Sequence, residues 1–241
     1  MAVIFTRDLI LVIVTNDQKY MDINMIKRSV GRPKLLSREH VINTAFSEYW
    51  LHGINNVPLS KVALLAGVSR PGIYIEFTNE DLLKCEVLKK YFNEIAGPVF
   101  KNYDNYNDYP NHLLNHLDAN INDGNDNLTD NILYRSLRPK GALGCLLIKS
   151  TLSPKELGPI TLKTIKDFDK YRVKQLKKYA SNAHNSAILN KNIDIDFFAK
   201  YCVEIFKLVQ LMRLDNSSAS YIKKVVNTSL EPFFNKKEML H

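Results

Sequence analysis

Between Pro58 and Phe77 the chain has room for two short helices and almost nothing between them. That stretch constrains the fold more than any other. Pro58 suits the first turn of a helix running through Ala66, because the N–H it lacks would have no partner there. Gly67 ends that helix, and Ser69 can cap the next, whose first turn holds Arg70 and Pro71. Ile73 and Phe77, four apart, share one face and would hold the second helix onto its neighbours. Two short helices joined by a glycine turn make a helix-turn-helix. The second helix of such a unit leads with its N-terminal end into a major groove about 12 Å wide. Tyr74 would then project between Ile73 and Phe77 towards the phosphates of a bound duplex. Gly72 weakens that helix by about 1 kcal/mol relative to alanine but lets the backbone approach a duplex closely.

The flanks read as helix too. Val41, Ile42, Ala45, Phe46, Tyr49 and Trp50 form one apolar stripe over residues 38–52, with Ser37 as N-cap and Gly53 as stop. Asn79 can cap a fourth helix, with Glu80 and Asp81 at the positive end of its dipole and a stripe running to a break at Gly97-Pro98. Further helices are predicted over 111–120, 128–137, 143–152, 157–181, 194–214 and 217–229. No stretch sustains strand alternation, so the chain is predicted to be all-α. "KNYDNYNDYPN" and "INDGNDN" read as polar loops.

The residues of "HVINTAFSEYWLHGINNVPLSKVALLAGVSRPGIYIEFTNEDLL" resemble the DNA-binding domain of TetR/AcrR-type transcriptional regulators. The resemblance rests on Phe46, Gly53, Val62-Ala63, Ala66-Gly67-Val68-Ser69, Ile73-Tyr74, Phe77 and Asp81-Leu82, in order and at the family's spacing. It covers about residues 38–83. A shorter stretch, "GALGCLLIKSTL" at 141–152, is similar to a helix of many AcrR-like C-terminal domains. The resemblance implies DNA contacts from Arg70, Pro71, Gly72 and Tyr74, with Ser69 at the helix start and Ser60 near the backbone. "SVGRPKLLS" is similar to the basic arm that often precedes the domain, which implies minor-groove contact from Arg32 and Lys34. The chain departs from the pattern at Val57-Pro58, Gly72, Glu76, Thr78 and Glu80. Glu76 and Glu80, at an edge expected to face phosphates, would each oppose binding by on the order of 1 kcal/mol.

A net charge of +8 and a pI near 9.2 favour a polyanionic partner. The charge clusters at Lys27, Arg28, Arg32, Lys34 and Arg38, whereas the lysines beyond residue 155 are interspersed with acids on solvated helix faces. Cys85, Cys145 and Cys202 share no metal-type spacing and read as reduced core thiols of a cytoplasmic protein. His112 and His116 lie four apart on one helix face, but asparagine-rich flanks point to a surface pair, with no metal expected. No phosphate-binding glycine loop, nucleophile elbow or cysteine pair is present, so neither enzyme chemistry nor a cofactor is expected. "VIFTRDLILVIV" is too short to span a bilayer and is interrupted by Arg7-Asp8. Residues 1 to about 24 are expected to be dispensable, with Met21 or Met25 as working start.

Three segments are expected: residues 1–36, an extension and basic arm; 37–84, the helix-turn-helix domain; and 85–241, a helical effector-binding and dimerisation domain. Phe197, Tyr201, Phe206, Met212, Tyr221 and Val225, among other apolar residues of the last two helices, exceed what one partner helix covers. The resemblance implies a homodimer through these helices, a palindromic double-stranded DNA operator, and repression released by a small-molecule effector held between helices spanning 111–181. The alternatives are a nucleoid-type structural DNA binder and a ligand-binding module whose DNA contacts have weakened.

Overall fold

The computed structural model describes residues 37–101, 103, 111–121 and 137–235. The arm with Arg32 and Lys34, the N-terminal extension, and all but the last residue of the helix expected over 128–137 lie outside the described residues.

Among the described residues there are ten α-helices and no strand, the nearest approach to one being an isolated bridge between Leu189 and Phe234. Four helices make the N-terminal head: α1 (Arg38–His52), α2 (Leu59–Leu65), α3 (Arg70–Phe77) and α4 (Glu80–Tyr91). Their boundaries are set by local chemistry. Ser37 accepts from the His40 N–H, Ser69 from the Gly72 N–H and Asn79 from the Leu82 N–H, each closing an N-terminus. Gly53 and Gly67 stop α1 and α2 at φ of 89° and 65°, values glycine adopts freely. Pro58 is the N-cap of α2, one residue earlier than a first-turn proline.

The expected break at Gly97-Pro98 does not occur. The helix runs on from α4 through a π-helical turn, Phe92–Ala96, into α5 (Gly97–Lys101). The Gly97 N–H donates to the Phe92 carbonyl five residues back, and the wider turn accommodates Pro98, which has no N–H to give. A Cβ at Gly97 would stand 2.9 Å from that carbonyl oxygen, so the wide turn depends on glycine.

The body comprises α6 (Asn111–Ile121), α7 (Leu146–Thr151), α8 (Pro159–Asn185), α9 (Ile195–Leu214) and α10 (Ala219–Leu230). At 27 residues α8 is about 40 Å long. It passes through both hydrophobic cores. Ile165 packs into the head core with Phe46, Trp50, Phe77 and Leu88. Leu176, Tyr179, Ala180 and Ala183 pack into the body core with α6, α9 and α10.

Candidate nucleic-acid interface

The head places α3 as an outlying helix anchored at two points. Ile73 and Phe77 are buried, as their spacing predicts, and the rest of the helix is open to solvent apart from the part-buried Gly72. Arg70 and Tyr74 come together on its surface: the guanidinium donates to the Tyr74 hydroxyl at 3.2 Å and lies 5.6 Å from the ring centroid. Pro71 is exposed in the first turn, and Ser60 is exposed on α2. Ser69 spends its hydroxyl on the α3 N-terminus. Thr78 ends α3 at φ 64° and ψ −46°, and the Asn79 N–H donates across it to the Phe77 carbonyl at 2.6 Å. A β-branched residue in this γ-turn stores about 1–3 kcal/mol of strain, and it turns the chain sharply into α4.

The two acids flanking this surface are held by cations of the same chain. Arg38, read from sequence as part of the basic cluster, is turned inward against α3. Its Nη1 donates to the Glu76 carbonyl at 3.0 Å and to the Glu76 carboxylate at 3.2 Å. Its guanidinium carbon lies 4.4 Å from the Phe77 ring centroid, and Nη2 reaches Glu86 at 3.8 Å. Glu80 pairs with Lys84 at 3.0 Å, and Lys84, largely buried, also donates to Asn55. Neither acid is therefore a bare charge. Arg38 was missed as a positioning residue because its partner is 38 residues away.

The head joins the body through a set of directed contacts. Asp81 lies in the first turn of its own helix, as expected, and also caps α8. Its carboxylate accepts the Ile160 N–H at 2.9 Å and the Thr161 N–H at 3.1 Å, and the Thr161 hydroxyl donates to its carbonyl. The N-cap position of α8 is Gly158, which has no side chain to offer. The indole N–H of Trp50 donates to the Gly144 carbonyl at 2.9 Å, and Lys149 returns a bond to the Trp50 carbonyl at 2.7 Å. Burial, and then Arg138, push the Lys149 pKa below the usual lysine range. Gln210, buried on α9, accepts from the Cys145 N–H and donates to Asn120 of α6. These bonds tie α4 to α8, and α1 to α7 and the segment leading into it.

His112 and His116 are not a surface pair. Their rings pack among Phe100, Tyr103, Tyr179 and Phe206 in the body core, and the Tyr103 hydroxyl and His116 Nδ1 share a hydrogen bond of 2.6 Å. Burial, then His112 and Arg172, lower the His116 pKa to about 3, so its ring is neutral at ordinary pH. Cys85 and Cys202 are buried thiols and Cys145 is half-buried; none is in a disulfide. Among the described residues no helix is long and apolar enough to cross a membrane, and no group of three or more histidine, cysteine or acidic residues is arranged to hold a metal.

No family model matches the chain. The HTH-type transcriptional repressor ComR of Escherichia coli K12 is 33% identical over 72 residues, 30% of this chain. That match spans only about a third (34%) of ComR's own length. Solved structures match over most of the chain. Reduced NemR of E. coli superposes with a TM-score of 0.65 at 13% identity, covering 81% of this chain and 96% of that one. A cysteine mutant of the TetR-family regulator CifR, solved with a 26-base-pair operator duplex, gives 0.64 at 13% identity, with 84% and 100% covered. A TetR-family regulator from Cytophaga hutchinsonii gives 0.64 at 15%, with 83% and 95% covered. The fold is that of the TetR-type regulators.

Proposed function

We propose that this chain is a TetR-type, DNA-binding transcriptional regulator, acting as a homodimeric repressor that a small-molecule effector releases from a palindromic operator. The observation that carries the reading is α3 itself. It is an outlying helix with a capped, exposed N-terminus carrying Arg70 and Tyr74, and its one acid is neutralised from behind by Arg38. In this reading Arg70, Pro71, Gly72 and Tyr74 meet DNA, with Ser60 near the backbone and Arg32 and Lys34 in a minor groove. Residues 37–84 read DNA, and residues 85–241 bind effector and partner. Exposed Phe197, Leu208 and Tyr221 on α9 and α10 support a second copy packing there. The α8 cap at Asp81 and the Trp50–Gly144 bond give an effector a route to head spacing, provided it favours one arrangement.

The test is a gel shift and footprint on DNA upstream of the protein's own gene, repeated with a library of small molecules. A protected palindrome, lost with one ligand class, supports the reading. No binding at low salt, with or without ligands, favours a ligand-binding module instead. Dispersed binding across the genome favours a structural DNA-binding role.

A further inference from the structure

The middle of α3 presents no hydrogen-bonding side chain outward. At about 100° per residue, Ile75 stands roughly 180° from the midpoint of the buried pair Ile73 and Phe77. It is therefore the outermost residue of the helix. It is 85% exposed, the highest value among the large apolar side chains of the described residues. Pro71, one turn earlier on the same stripe and also exposed, has no donor either. The polar side chains lie to the sides and are engaged. Arg70 pairs with Tyr74 on one flank, and Glu76 is tied to Arg38 on the other. An isoleucine turned away from the core contributes nothing to packing the helix, and it gains only when something apolar covers it.

The major groove offers one such group. Thymine alone among the four bases carries a methyl at its major-groove edge, and apolar side chains read it by contact. Resting on the regulator reading above, we infer that Ile75 is a specificity-determining residue that packs on thymine 5-methyl groups, so that each operator half-site carries thymine opposite the centre of α3.

The experiment uses the full chain and a duplex selected by it from a randomised pool. Each thymine is replaced in turn by deoxyuridine, which removes the methyl and leaves base pairing intact. One or two positions per half-site are expected to lose about fourfold in affinity for each methyl removed. With Ile75→Ala, affinity for the thymine duplex falls by a similar factor, and the penalty for deoxyuridine at those positions disappears. Circular dichroism of the variant should match the parent, since the position is exposed. A chain that binds its selected duplex but is indifferent to every methyl overturns the inference and leaves the regulator reading standing. So does a deoxyuridine penalty that persists undiminished in Ile75→Ala. A chain that selects no duplex overturns both.

Discussion

Asp81 and Gly158 should be coupled so strongly that the sign of one substitution depends on the other. The Asp81 carboxylate sits at the start of α8, accepting two backbone N–H groups that would otherwise have no partner. Losing an N-cap costs about 1 kcal/mol, and losing a negative charge at a helix N-terminus costs up to about 1 more. Asp81→Ala should therefore destabilise the fold by about 2 kcal/mol. Gly158 makes room for that carboxylate: a Cβ there would fall 2.2 Å from the Asp81 Cγ and 2.4 Å from its Oδ2. Gly158→Ala should expel the cap and cost about the same 2 kcal/mol, although φ −72° and ψ 165° suit any residue. With Asp81 already replaced by alanine, the obstruction is gone. Gly158→Ala should then be neutral, or stabilising by about 0.4–1 kcal/mol through the less flexible unfolded chain. Urea unfolding of the four proteins at one protein concentration, with midpoints compared at constant slope, gives the coupling directly. An unchanged cost of Gly158→Ala in both backgrounds would refute the reasoning, since the clash would then not be with Asp81.

Three further outcomes are expected. Arg70→Ala should weaken DNA binding and lower the salt dependence of log affinity by about one unit, measured by fluorescence anisotropy across a salt series. Arg38→Ala should cost stability by less than about 1 kcal/mol, because the Glu76 pair is more than a third exposed on both sides, yet lower DNA affinity several-fold. Adding Glu76→Gln should restore most of that affinity, and failure to do so would remove Glu76 from the DNA-facing surface. His116 takes a proton near pH 6.5 when unfolded but only near pH 3 when folded, so the unfolded state binds more protons between those values. Its contribution to stability is complete above pH 6.5 and declines as pH falls towards 3. His116→Phe should reduce the pH dependence of the urea midpoint in that window, by up to about 1.4 kcal/mol per pH unit.

The head was readable because its signals are local. Ser37, Ser69 and Asn79 cap the helices they precede, and Ile73 and Phe77 bury the face their spacing implies. Each of these depends on residues within one or two turns, where backbone geometry leaves few choices. The π-helical turn at Phe92–Ala96 was not readable, since Pro98 is equally compatible with a stop, and packing of Phe92 on Phe168 and Tyr171 favours continuation. The histidine pair misled for a similar reason. Helical spacing shows that two side chains share a face but not what lies across from it, and here that is Tyr103 and an aromatic core.

By itself, then, the sequence determined the four head helices, the caps Ser37, Ser69 and Asn79, the helix-turn-helix and the resemblance that gives α3 its proposed role. Tertiary structure decided which partner each charged group takes. Arg38 meets Glu76 across 38 residues, Asp81 meets the start of α8 across 79, and Trp50 meets Gly144 across 94. The pattern along a chain fixes which face of a helix is apolar. Only packing brings a particular guanidinium or carboxylate within reach of the group it pairs with.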